Sequence, residues 1–440
     1  MAKSASKAFS ALARAVWAGF DTEGVFRRHA SDADPFVLRT PGLDEMMFFS
    51  TVEAARDILT APSNVCRAPL PNPIEPIVGQ GSLILQSGAS HRRTRSLLMP
   101  AFHGDRMRGY VDMIAAAAAD EIAELKPGDR MAVSSAARTI ALDVIIRVLF
   151  GVTDQDRRTE YAELINRLMN SNTAPLMLFP GLRRAIAGRG PWVRLVAFRT
   201  QLDRLLSEQM AERRRLADHG TDMLELILAA TDEEGGGLGD DALREQLRTM
   251  LAAGHDTSAT SLAWALYHIH RDDTVHRKLL DELSGAATPQ EIANLPYLTA
   301  VIQETLRMHP TVPMVLRKLT GPLTVAGVPC SADDVVGIAL PALHFNPAVW
   351  KQPESFCPER FLVTKPTPFE YAPFGGGFRR CIGAGFAHHE LAVAIGTIMK
   401  TVELEMPARE RRRKPPRSVP RGIATTPSRE ICLTVTGRYH

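Results

Sequence analysis

The ten residues Phe374-Gly375-Gly376-Gly377-Phe378-Arg379-Arg380-Cys381-Ile382-Gly383 constrain this chain more than any other stretch of its 440 residues. Three consecutive glycines permit a tight, close-packed turn. The apolar run that follows Gly383 predicts a helix, so the turn delivers one cysteine to a helix start, with two arginines just before it. A helix N-terminus and nearby cations both lower a thiol's pKa, so the arrangement predicts a thiolate. A thiolate is one of the few protein ligands that push electron density into a haem iron strongly enough to favour O–O cleavage. The ordinary alternative is a glycine turn with a buried cysteine, and a lone Cys-x-Gly would favour it.

Independent stretches carry related chemistry. Asp240 or Asp241 is expected to cap a long helix running to about His270. Ala253-Gly254-His255-Asp256-Thr257 lies within it. Glycine, an acid and a threonine all disfavour a helix interior, so the helix is expected to loosen there. Asp256 and Thr257 then offer a carboxylate and a hydroxyl for a proton relay; alone, the pattern also fits a tolerated polar kink. Downstream, Glu304 and Arg307 share a face at i, i+3, within the apolar company of Val301, Ile302, Leu306 and Met308. Pro358-Glu359-Arg360-Phe361 supplies a second arginine. On a basic helix expected to begin at His91 and end at Pro100, His91 and Arg95 point the same way.

Composition excludes several classes. Lysine and arginine total 52 against 49 aspartate and glutamate, a formal charge of +3. That gives no global case for nucleic-acid binding. The five cysteines (Cys66, Cys330, Cys357, Cys381, Cys432) are scattered and odd in number. They predict neither a disulfide framework nor a zinc site, and they fit a reducing cytoplasm. Charges from Arg14 to Arg28 interrupt the N-terminus, so neither a signal peptide nor a spanning segment is expected. Residues 8–20 read as a short amphipathic helix. Pro69 to Pro76 reads as loop. Helices are expected over 108–125, 137–150, both ends of 160–217, 275–284 and 297–308. Short strands are expected over 318–340 and in the last forty residues. The expected fold is mainly α with a minor β lobe. Length alone suggests more than one domain, but no linker is visible, so 1–440 is expected to form one unit with 1–30 as an extension.

These motifs, in this order, resemble those of the cytochrome P450 superfamily, over nearly the whole chain from about residue 30. The resemblance rests on Phe-x-x-Gly-x-Arg-x-Cys-x-Gly at 374–383, Gly-x-Asp-Thr at 254–257, Glu-x-x-Arg at 304–307, Pro-Glu-Arg-Phe at 358–361 and the stretch His91 to Phe102. It implies the P450 fold, with haem b between the long central helix and the cysteine-loop helix, and Cys381 as axial thiolate. Phe374, Gly383 and Ala253 would border the cofactor, and His91, Arg95, Arg317 and Arg379 would meet its propionates. Asp256 and Thr257 would serve proton delivery during O2 activation. His255 would be structural or cavity-lining, and Glu304, Arg307 and Arg360 would form a buried brace. One departure is His91, where many members carry tryptophan.

The implied activity is a monooxygenase that hydroxylates a hydrophobic small molecule. Leu98 to Gly104 is similar to a bacterial subgroup with members that oxidise fatty acids, alkanes or terpenes. Electrons would come from a separate ferredoxin with an NAD(P)H-dependent reductase. Arg92, Arg93 and Arg380 would face outward, toward an acidic donor. Substrate-facing candidates are Leu70, Ile74, Ile77, Leu83, Met169, Leu176, Phe179, Met250, Ala253, Val312, Met314, Val315 and Ile423, and the apolar, proline-broken connection from Pro175 to Pro191 is either a lid over a cavity or a crossover packed on the body. The alternatives are a haem-thiolate isomerase or peroxide-dependent oxidant, and a non-catalytic haem or ligand-binding protein.

Overall fold

The computed structural model describes residues 19–439 except 34, 40–44, 70–71, 103–105, 170–175, 177–179, 185–188, 216–221 and 423. The amphipathic stretch 8–20 therefore lies almost wholly outside the described residues, as do Leu70, Phe179, Ile423 and most of the apolar connection 170–188.

The organising element is the central helix, Asp240–Arg271, about 48 Å long at 1.5 Å per residue. Its second half, from Ser258 to His270, is buried throughout, as expected of a helix hydrophobic all round. Around it lie Arg106–Ile122, Val133–Val144, Pro296–Met308 and the cysteine-loop helix Ala384–Thr401. Their apolar faces merge into one large core that includes Tyr110, Ile140, Trp264, Leu298 and Ile395. The helices Gln155–Met169 and Pro191–Arg215 flank it.

The β lobe is a five-stranded sheet in the order Phe36–Leu38, Met46–Phe49, Val335–Ala339, Met314–Leu319, Cys66–Arg67. Only the second and third strands pair in parallel. Val315 and Arg317 share a face of their strand by the period of two. A three-stranded sheet (Arg130–Ala132, Cys432–Arg438, Val402–Glu405) and two hairpins complete the lobe. One hairpin, Ser418–Arg421 with Ala424–Pro427, packs on the central helix.

Several local expectations need correction. Pro76 sits in a helical turn, Glu75–Val78, near its start, where a missing N–H costs nothing. The basic helix starts earlier, at Gly88, and passes at Leu98 into a 3-10 turn, Met99–Phe102. The apolar helix from 137 begins at Val133 and ends in a π turn, Ile145–Leu149. The N-cap of the central helix is Gly239, with no side-chain cap; Asp240 instead pairs with Arg214 at 2.6 Å. That helix also runs unbroken through residues 253–257, so the expected loosening does not occur. Gly254 has a packing reason instead: a Cβ there would lie 3.3 Å from Ile145 Cδ1 in the π turn.

Candidate active site

The cysteine loop is held by backbone shape. Gly375 and Gly377 both adopt φ of 63°, open to glycine at little cost. A Cβ on Gly377 would lie 1.9 Å from the Leu59 carbonyl oxygen, so this turn presses directly on the neighbouring chain. The Cys381 N–H closes the loop onto the Phe374 carbonyl at 2.9 Å. Gly383 caps the following helix, and its carbonyl accepts from Ala387 at 2.8 Å.

Cys381 is the exposed member of the five cysteines; Cys66 and Cys330 are buried, and Cys357 and Cys432 are half-buried. Protein packed around its sulfur pushes the thiol's pKa up, against the Gly383 N–H, Arg95 and Arg380, which pull it down. Coordination to a metal ion deprotonates a thiol outright.

Cations gather beside the loop. Arg317 is buried on its strand, donates from Nη1 to the Leu316 carbonyl, and has no partner for Nε. Burial pulls its pKa down to about 10. Arg379 donates from Nη1 and Nη2 to the Ile84 and Gln86 carbonyls and to Ser87 Oγ, and its buried Nε also lacks a partner. Both guanidinium groups lie over the Phe378 ring, at 6.0 and 5.5 Å from its centre. His91 meets the same ring edge-on at 5.8 Å. Burial first, then Arg379, Arg95 and Arg317, push His91 down to about 4, so it is neutral at physiological pH. Among the described residues, no ion pair joins His91, Arg95, Arg317 or Arg379 to a carboxylate. Buried cations with orphaned donors are costly unless an anion meets them. Two propionates answer that requirement, so the residues present fit a haem. Phe378, the ring that collects three of these side chains, is not found by charge-based sequence reasoning; its place inside the glycine turn is the only signal.

The central helix packs on the helix that follows this loop. Met250, Ala253, Gly254 and Thr257 are partly accessible, while their neighbours Leu251, Ala252, His255, Asp256, Ser258 and Ala259 are buried. Spacing by three and four makes them one stripe. Thr257 Oγ1 donates back to the Ala253 carbonyl at 2.6 Å. Asp256 sits beside the stripe, its Oδ1 accepting from Arg421 Nε at 3.0 Å. His255 is buried, with Nε2 at 3.3 Å from the Arg138 carbonyl, and burial lowers its pKa. That fits its expected structural role.

The central and cysteine-loop helices are joined by Ser258 Oγ and Glu390 Oε2 at 2.5 Å. Burial raises the Glu390 carboxyl to about 8. Sequence reasoning passes over Glu390, although a lone acid inside the apolar run 384–399 is a usable signal. Behind the loop, Glu304 accepts from Arg307 Nε and Nη2 at 2.7 and 2.9 Å and from Arg360 Nε at 3.1 Å. The expected brace forms, with Glu304 and Arg307 fully buried. Arg92 and Arg380 are exposed as expected. Arg93 is exposed as well, and is tied to Asp232 at 2.7 Å and to the carbonyls of Gly236 and Gly237.

A family model described as Cytochrome P450 matches residues 21–433. The chain belongs to the cytochrome P450 family. It is similar to two Mycobacterium tuberculosis proteins: putative cytochrome P450 137, at 32% identity over 88% of this chain and 80% of that one, and putative cytochrome P450 135A1, at 33% over 84% and 82%. Among solved structures, the cytochrome P450DA heme domain superposes with a TM-score of 0.82 at 24% identity, covering 95% of this chain and 92% of that one. Retinoic acid-bound cyanobacterial CYP120A1 gives 0.80 at 21%, covering 92% and 91%. The P450 fold expected from the motifs is therefore the fold observed, and membership makes this protein a haem-thiolate monooxygenase that uses O2 and a redox partner. No helix among the described residues is long and apolar enough to cross a membrane.

Proposed function

We propose that this P450 hydroxylates a hydrophobic small molecule, a fatty acid or a terpenoid, with electrons from a separate ferredoxin and its NAD(P)H-dependent reductase. In this reading Cys381 would supply the thiolate that holds the haem iron, with Phe374 and Gly383 shaping its loop. His91, Arg95, Arg317 and Arg379 hold the propionates. The haem, when bound, supplies O2 activation and hydrogen abstraction. The chain's own residues bind and orient the substrate, exclude water and carry protons. Ala253 and Thr257 face the reacting side, and Asp256 passes protons toward Thr257 Oγ1.

The observation that carries the substrate class is the accessible stripe on a buried helix. Val312 and Val315 are also partly accessible, whereas Met314 packs against the separate cluster of Phe26, Phe36 and Phe48. Val315 also reaches the loop, 3.8 Å from where a Gly375 Cβ would stand. Apolar walls with a few polar groups suit an apolar ligand. The exposed Arg92 and Arg380 suit an acidic electron donor.

The test is an optical titration of the ferric holoprotein with fatty acids, cyclic terpenes and larger polyketides. Displacement of water from iron shifts the Soret band toward the high-spin form. The proposal expects that shift with a fatty acid or a terpene. A shift with polyketides alone, or with no apolar ligand in the panel, overturns the substrate class. Thr257→Ala separates the activity from peroxide-dependent oxidation or isomerisation. Lost product with peroxide release supports the monooxygenase reading, and unchanged product formation refutes it.

A further inference from the structure

The Asp256 carboxylate has a partner that the motif does not contain. Its side chain is 5% exposed, yet Arg421 Nε reaches Oδ1 at 3.0 Å, and the Arg421 side chain is itself 32% exposed. Arg421 ends the strand Ser418–Arg421, and the turn after it lies over the acid: a Cβ on Gly422 would stand 3.6 Å from Asp256 Oδ2. The returning strand is anchored elsewhere, with Thr425 N–H donating to the Thr311 carbonyl at 2.8 Å. One short hairpin thus touches both the acid and the segment that precedes Val312 and Met314.

The acid also borders a narrow crevice between this hairpin, the central helix and the helix Val133–Val144. Ser134, Arg138, Thr260 and Thr426 line it together with two alanines, Ala259 and Ala263, and it is too tight to hold a water molecule. On the other side, His255 Nδ1 lies 3.8 Å from Oδ1 and has no partner of its own. Asp256 is therefore the neighbour of Thr257 in sequence and is tied to a guanidinium that is partly exposed to solvent.

We propose that Arg421 is a positioning residue of proton delivery: it holds the Asp256 carboxylate toward the edge of the 418–427 hairpin, where the partly exposed Arg421 side chain meets solvent and the acid is reloaded after passing a proton to Thr257. This rests on the reading of Asp256 and Thr257 as the proton path. Arg421 transfers no proton; it acts through Asp256. A buried carboxylate that loses its cation turns to whatever donors remain. Here the nearest is His255 Nδ1, 3.8 Å from Oδ1.

The test uses the full-length holoenzyme with a plant-type ferredoxin and its NADPH-dependent reductase, and no organic substrate. Peroxide formed per O2 consumed is measured across pH in H2O and D2O, for wild type, Arg421→Lys, Arg421→Met, Asp256→Asn and the Arg421→Met/Asp256→Asn double variant. The proposal expects Arg421→Met to raise the peroxide share and the solvent isotope effect several-fold, matching Asp256→Asn. Arg421→Lys should restore most of both, and the double variant should be no worse than Asp256→Asn alone. A crystal structure of ferric Arg421→Met should show the Asp256 side chain rotated away from the hairpin. Should Arg421→Met fail to fold, Arg421→Gln serves for both readouts. If Asp256→Asn is impaired while the Arg421 variants match wild type, Arg421 has no such role. If Asp256→Asn itself matches wild type, the proton-path reading fails first.

Discussion

Replacing Arg307 by methionine should measure how firmly the region behind the cysteine loop is braced. Arg307 is fully buried and donates to Glu304 twice, to the His344 carbonyl at 2.8 Å and to the Pro353 carbonyl at 2.8 Å. Methionine keeps most of the volume and removes every one of these bonds. Glu304 keeps Arg360 Nε and the Cys357 N–H at 2.9 Å, but loses both bonds from Arg307. Breaking a buried pair by removing one partner costs about 3–5 kcal/mol. Unfolding entropy of about 2.1 cal/mol/K per residue amounts to roughly 0.9 kcal/mol/K for a chain of this length. The expected fall in melting temperature is therefore about 3–5 °C, followed by calorimetry on the holoprotein. Glu304→Leu combined with Arg307→Met should recover part of the loss, because it leaves no buried charge from the pair. A single variant that melts within about 1 °C of wild type would refute the reasoning.

Two further outcomes follow from the loop and its helix. Gly377→Ala should lower haem content and melting temperature far more than Gly375→Ala. Both need φ of 63°, but only Gly377 would drive its Cβ against a backbone oxygen, whereas Gly375 meets a Val315 methyl at ordinary contact; equal effects on haem absorbance per protein would count against this packing. Glu390 has its folded pKa raised from 4.5 to about 8. The unfolded chain thus releases this proton first, and between about pH 4.5 and 8 this group lowers stability as pH rises. Glu390→Gln keeps the contact with Ser258 without the ionisation. Its stability relative to wild type should grow by on the order of a few kcal/mol from pH 5 to pH 8 in urea titrations; a constant difference would mean Glu390 titrates as an exposed acid.

The sequence is most legible where chemistry is local. Cys381, Phe374 and Gly383 fall into one loop because glycine content and spacing leave the chain little choice. The Glu304 brace is legible for a similar reason: an acid and an arginine one turn apart in an apolar helix have few fates other than each other. Contacts between distant segments are less so. Arg421 lies in a stretch expected to face substrate, but nothing in its neighbourhood says that it reaches an acid 165 positions away. Phe378 is likewise invisible as the ring under Arg317, Arg379 and His91, since sequence distance hides a shared face. The loosening expected at 253–257 fails for a physical reason. Propensity penalties of about 1 kcal/mol for glycine and less for the others are small beside burial on a helix packed on every side.

The most direct test of the account is X-ray absorption at the iron edge of the ferric holoprotein, for wild type and Cys381→Ser. The account predicts one sulfur bound to iron in the wild type and none in the variant. Sulfur still bound to iron in Cys381→Ser would place the ligand on another cysteine and contradict the site built here.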